Sequence, residues 1–288
     1  MSRPSFETGA PGDAPRRPAK QPARDWSSTP ERSNLLALRA MAWVAVVCGR
    51  RVARWILHPI TVYFLLFAPT QRRNAKRYLA RALGRPARWR DGYRLIHAFA
   101  STVLDRVYFL RGHTHAFDLR SSGVEPVDTA LAQGQGAFLI GAHVGSFEAI
   151  GASGRMPGGP AWRVAMLMYP DNAQRINGVL DAIGTPGTKP CIIALGRPGS
   201  MLTLRDWLDG GGVAGTLADR TLPGESERGG TVELPFLGHM ARFSDGPFRL
   251  AALLRRPVFL MTGLYAGGRR YDVRFAPLAD FSVRPADA

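Results

Sequence analysis

From Leu35 to Ala68 the chain is apolar with scattered arginines. Met41 to Cys48 is one apolar run, Arg50, Arg51 and Arg54 follow, and Trp55 to Phe67 is the second. Neither run reaches the ~20 residues that a clean membrane-spanning helix needs. Joined, the runs would place those arginines inside a bilayer at roughly 2.5–3.5 kcal/mol each. Trp43, Trp55 and Tyr63 are residue types of the membrane–water interface, and basic residues flank both runs. This pattern predicts a monotopic or re-entrant hairpin bent near Pro59. The alternative is a helical pair capping a soluble core.

Beyond it the period changes. Leu79, Leu83, Ile96, Phe99, Val103, Val107 and Leu110 recur at helical spacing, so residues 71–111 read as helices. Gln71 to Arg94 is dense in Lys and Arg, which suits either lipid phosphates or a solvated helix face. From Phe117 an α/β rhythm begins. Strands are expected at Ala137–Gly141, Val164–Met168, Cys191–Leu195, Val213–Ala218, Val258–Leu264 and Tyr271–Phe275. Helices are expected at Ala173–Ile183, Gly199–Leu208 and Phe248–Leu254. Alternating strands and helices predict an α/β fold with a mostly parallel central sheet flanked by helices, preceded by an N-terminal membrane-associated helical segment.

Residues 1–33 carry prolines and arginines without an apolar run, so they should be disordered and are no secretory signal peptide. The expected organisation is therefore a tail at 1–33, an anchor at 34–70 and a catalytic domain at 71–288. At 288 residues and 45% hydrophobic, the chain can bury one sizeable core. The net charge of +16 points to polyanions: nucleic acid, an anionic membrane surface or acidic substrates. The arginines are dispersed and no nucleic-acid recognition motif is present, so no nucleic-acid partner is expected. Cys48 and Cys191 form neither a disulfide framework nor a zinc spacing, and His113-x-His115 lacks further ligands, so no metal is expected.

Candidate chemistry centres on Gly141-Ala142-His143-Val144-Gly145-Ser146-Phe147-Glu148. A buried strand ends at Gly141, and in α/β sheets ligands gather beyond the carboxyl ends of strands. Glu148 is expected to turn back toward His143, fix its tautomer and leave the other ring nitrogen as a base. Ser146 does not lie in a G-x-S-x-G elbow, so a Ser-His-Glu triad is not expected. A His–carboxylate pair without a protein nucleophile suits direct attack by an acceptor hydroxyl on a thioester.

The His143–Glu148 segment resembles the H-x4-D/E motif of the lysophospholipid acyltransferase superfamily, and its lipid A biosynthesis lauroyl/myristoyl acyltransferase branch in particular. Further pieces follow in the family's order. Ala218-Asp219-Arg220 is similar to its Asp-containing segment. Phe236 to Pro247 with Leu250-Ala251 resembles its F-G-x-x-A-x-F-x-x-G-P-x-x-L-A segment, and Arg256-Pro257-Val258 its A-P-V. The similarity runs from about Leu35 to Phe281.

The resemblance implies a glycerolipid acyltransferase-like fold and an acyl donor on acyl carrier protein or coenzyme A, with no other cofactor. It implies His143 as general base with Glu148 as its orienting partner. Met168 to Asn172 with Arg175 resembles the basic segment, where an Arg binds the acceptor phosphate or the oxyanion. Asp219 and Arg220, at a strand end, are expected at the site rather than as a mutual ion pair. Gly246 is expected to shape the acyl pocket. The implied acceptor is a membrane lipid, a lipid A precursor for one, at the cytoplasmic face of a bacterial inner membrane. The acidic member is Glu, as in the lipid A branch, where the glycerol-phosphate branch carries Asp. The family continues into a Pro- and Trp-rich C-terminal helix, whereas this chain stops at Ala288, a departure that bears on closure of the acyl pocket. Other readings are a catalytically inactive membrane scaffold of the same fold and a thioesterase that uses water as acceptor.

Overall fold

Strand β2 (Ala137–Gly141) is buried along its whole length, and its side chains divide between two sides. Phe138 and Ile140 join one apolar cluster, while Ala137 and Leu139 join another. A strand alternates its side chains, so a continuous apolar run needs cover on both faces. The computed structural model, which describes residues 43–154, 162–169, 191–221 and 230–282, supplies that cover with helices. The expected tail at 1–33, the start of the anchor and the helix at Ala173–Ile183 lie outside the described residues.

The sheet has seven strands in the order β1-β9-β8-β2-β5-β3-β4. The other six are β1 (Asp118–Ser122), β3 (Val164–Met168), β4 (Cys191–Ala194), β5 (Val213–Leu217), β8 (Pro257–Gly267) and β9 (Arg270–Asp280). Every pairing is parallel except β8 with β9. The expected α/β class and mostly parallel sheet are therefore present. On one face, α6 (Ser200–Asp209) contributes Leu204 and Leu208, and α7 (Gly246–Leu253) contributes Ala251. On the other, α4 (Glu125–Ala132) packs Val127 and Ala130 against Phe259, Val273 and Phe275. A separate two-stranded antiparallel hairpin joins β6 (Thr231–Phe236) with β7 (His239–Ser244), and of it only Phe236 and β7 fall in the segment read as a motif.

The N-terminal region differs from the expected hairpin. Helix α1 (Gly49–Phe67) runs without interruption through Pro59, and the turn comes at Ala68, where α2 (Pro69–Leu83) departs at 94°. The bend is therefore at Ala68 and not at Pro59. Proline at the first position of α2 suits a helix start, because its missing N–H would have no intrahelical partner there. Among the described residues no single helix is long and apolar enough to cross a membrane, although the bent α1–α2 pair passes by length and composition.

Helix α1 is two-faced. Ala53, Leu57 and Thr61 are buried, and α1 packs on α3 (Trp89–Leu110). On its other side Trp55, Tyr63, Leu66 and Phe67 are exposed, Trp55 at 75%. From α3, Val107 and Leu110 enter the core as expected, whereas Phe99 is exposed.

Two of the three arginines that would be costly in a bilayer, Arg50 and Arg54, are turned to the protein, and Arg51 is exposed. Arg50 donates to both oxygens of the fully buried Asp105, each at 2.8 Å, and lies over the Phe117 ring. The Tyr271 hydroxyl donates to the same carboxylate at 2.9 Å, and Arg54 donates to the Tyr265 hydroxyl at 2.9 Å. Burial works against the charge on Arg50, but Asp105 more than offsets it and holds Arg50 above its ordinary range. Burial and the adjacent Asp105 charge push the Tyr271 hydroxyl up. Breaking a buried pair leaves an unpaired charge. Asp105→Ala is therefore expected to cost about 3–5 kcal/mol, read as a lower urea midpoint at unchanged slope.

Candidate active site

Strands β2 and β5 pair in parallel with Gly141 opposite Leu217. The chain continues in step beyond the sheet, and the Ala218 N–H donates to the Gly141 carbonyl at 2.9 Å. His143 and Asp219 each stand two residues past that last pair. The common register thus delivers an imidazole and a carboxylate side by side at the carboxyl edge of the sheet, where α/β folds collect ligands.

The two side chains meet. His143 Nδ1 lies 2.8 Å from Asp219 Oδ1, with the His143 side chain 44% exposed. Burial raises the Asp219 carboxyl. Hydrogen bonds from the His143 ring and backbone, the His143 charge interaction and its own backbone N–H outweigh burial and hold Asp219 below its usual value. An ionised carboxylate only accepts, so Nδ1 carries a proton toward Asp219, and the lone pair of the neutral ring is on Nε2.

Glu148 does not occupy the expected position. It is the second residue of α5 (Phe147–Ser153), and its carboxylate pairs with Arg106 Nε of α3 at 2.6 Å. It also accepts from the Ser146 hydroxyl at 3.1 Å. Among the described residues it makes no hydrogen bond to His143, whose carboxylate partner is Asp219 instead. Helix geometry gives the reason: α5 starts at Phe147, so Glu148 is carried round the first turn toward α3. Asp219, expected as a substrate or oxyanion residue, is the carboxylate on His143 Nδ1. Arg106 was not anticipated, and no local pattern marks a contact between α3 and α5.

Ser146 is committed elsewhere. It is the N-cap of α5, its Oγ accepts from the Ala149 N–H at 3.2 Å, and the residue is 4% exposed. A helix N-terminus leaves donors without intrahelical partners, and a serine cap satisfies one of them. The cap, rather than a nucleophile, accounts for this serine.

The loop is held against β8 by close backbone approach. The Ser146 N–H donates to the Gly263 carbonyl at 2.8 Å, and Gly145 has φ +84°. A Cβ on Gly145 would lie 2.1 Å from that carbonyl oxygen. Gly145→Ala is expected to lose about 1–3 kcal/mol from backbone strain alone and to displace His143. Thermal melting checks the first effect, and the His143 ring NMR shifts check the second.

Arg220 follows Asp219 directly and is exposed. Gly246 opens α7, and its N–H donates to the Ser244 hydroxyl at 3.3 Å rather than to the His143–Asp219 pair. Arg175, with Pro170, Asp171 and Asn172, lies outside the described residues. Arg256-Pro257-Val258 opens β8 as expected. Arg256 bonds the Gln135 carbonyl and the Asp209 carboxylate at the amino end of the sheet, away from His143.

No family model and no curated protein matches the chain.

Proposed function

We propose that the protein is an acyltransferase that moves a fatty acyl group from a thioester, on acyl carrier protein or coenzyme A, to a hydroxyl of a membrane lipid or lipid-like acceptor. A lipid A precursor is one such acceptor. The observation that carries this reading is the His143–Asp219 pair at the carboxyl ends of two adjacent parallel strands, with Nε2 left open.

Asp219 holds the Nδ1–H, and Nε2 takes the proton of the acceptor hydroxyl as its oxygen attacks the thioester carbonyl. The new C–O bond forms, the C–S bond breaks, and the departing thiolate recovers a proton from the imidazolium. The thioester supplies its own leaving group, so no acyl-enzyme is needed, in keeping with a serine that serves as a cap. Arg175 is assigned to the oxyanion or to an acceptor phosphate, on the resemblance described above. Glu148, tied to Arg106 and Ser146, fixes the start of α5 beneath the loop.

The exposed aromatic face of α1 and the arginines of α2 support docking on an anionic bilayer, at the cytoplasmic face of a bacterial inner membrane. The same positive charge suits an acidic carrier protein. A second reading, thioester hydrolysis, is favoured by the exposure of His143, which admits water as acceptor.

Mass spectrometry of total lipid from cells with and without the protein separates the two. A lipid that gains one acyl mass only when the protein is present supports transfer and identifies the acceptor. A rise in free fatty acid with unchanged lipids supports hydrolysis. Unchanged lipids and unchanged fatty acid would sink both.

A further inference from the structure

The β6–β7 hairpin has one apolar face. Its register sets Val232 opposite Phe243, Leu234 opposite Ala241 and Phe236 opposite His239, and cross-strand partners share a face. Val232, Leu234 and Phe236 are 41%, 50% and 52% exposed, so little of the protein covers this face. The hairpin lies outside the seven-stranded sheet that carries His143.

At its turn end the hairpin faces α2 across a groove of about 240 Å³. Phe236, His239 and Met240 line one wall, and Arg77, Tyr78 and Arg81 line the other. Arg77 and Arg81 are four residues apart, which puts both guanidinium groups on the same helix face. Neither has an ion-pair or hydrogen-bond partner among the described residues. A groove with paired unneutralised guanidiniums on one side and aromatic and thioether groups on the other complements a molecule with an anionic head and an apolar chain. Arginine matches phosphate oxygens in a bidentate fork. The volume is below the ~300–1,000 Å³ of pockets that enclose a drug-sized ligand. It therefore takes the head and the first part of a chain.

We propose that the groove between α2 and the β6–β7 hairpin, whose lining includes neither His143 nor Asp219, binds a single-chain amphiphile with a phosphate head. The binding does not depend on the acyl-transfer reading, and its test reads occupancy rather than activity.

The test uses the full chain and dodecyl phosphate carrying a photoreactive diazirine in its chain, with labelled peptides mapped by mass spectrometry. Label is expected within residues 74–81 or 236–241, displaced by unlabelled dodecyl phosphate but not by inorganic phosphate at equal concentration. Arg77→Ala with Arg81→Ala is expected to cut labelling about tenfold, as loss of charge-assisted bonds predicts. Met240→Glu, on the opposite wall, is expected to do the same, while His143→Ala labels like wild type. Equal labelling of the groove by a neutral dodecyl maltoside probe would overturn the proposal. So would displacement by inorganic phosphate, undiminished labelling in both groove variants, or label confined to other segments.

Discussion

Replacing Asp219 by asparagine is expected to lower acyl transfer by about 10²–10⁴-fold while leaving the fold intact. The amide cannot act as a purely accepting partner, so it no longer selects the tautomer with Nδ1 protonated, and Nε2 loses its role as base. Glu148→Gln makes the contrast. Its ion pair with Arg106 is partly exposed, and such pairs contribute about 0–1 kcal/mol, so the rate should fall far less. Comparable losses in the two variants would refute the assignment of the orienting role to Asp219. The same residue has a pH signature. Its folded value lies below the ~3.9 of an unperturbed aspartate, so its stabilising contribution is complete above that value. The contribution is lost as pH falls through the lower folded value. The melting temperature of Asp219→Asn should therefore decline less than that of wild type on acidification below pH ~4.

His143→Ala is expected to reduce transfer by about 100-fold or more, the usual loss when a general base is removed. The side chain is 44% exposed and its ring packs in none of the apolar clusters, so the melting temperature should barely change. Added imidazole should restore part of the rate by supplying a base in the vacated space. A variant that keeps near wild-type transfer would show that the proton leaves by another route, and the reading of the site would fall with it.

The most fully buried strand, β2, is also the plainest in the sequence. Strands β2, β3, β4 and β5 appear as short apolar runs, because each sends side chains into the core clusters. The edge strand β1 leaves no such trace. Strand β1, Asp-Leu-Arg-Ser-Ser, is almost wholly exposed and pairs only with β9, so neither run nor alternation marks it. The β6–β7 hairpin was visible in part as a motif but not as a pair of strands, since its apolar face contributes to no core cluster. In α1 the proline suggested a bend. The packing of Ala53, Leu57 and Thr61 and the Arg50–Asp105 pair hold the helix through it.

At the site, His143 and Asp219 were both legible as polar residues at strand ends. Their partnership was not. It depends on β5 lying directly beside β2, although β3 and β4 intervene in sequence, and nothing local to either residue records that neighbour. Glu148 was the nearer carboxylate in sequence, but the helix that begins at Phe147 turns it toward Arg106.

The spacing of His143 and Asp219 is measured by a strand register rather than by the chain that joins them. Among the described residues, β3, β4 and α6 fall in sequence between α5 and β5, on an excursion that leaves the sheet centre and returns to it. Insertions or replacements within that excursion leave the imidazole and carboxylate in phase so long as β5 returns in register. A one-residue slip in β5 would part them without touching either. The excursion is thus a part of the molecule that evolution or design can rebuild with the geometry of the His143–Asp219 pair inherited unchanged.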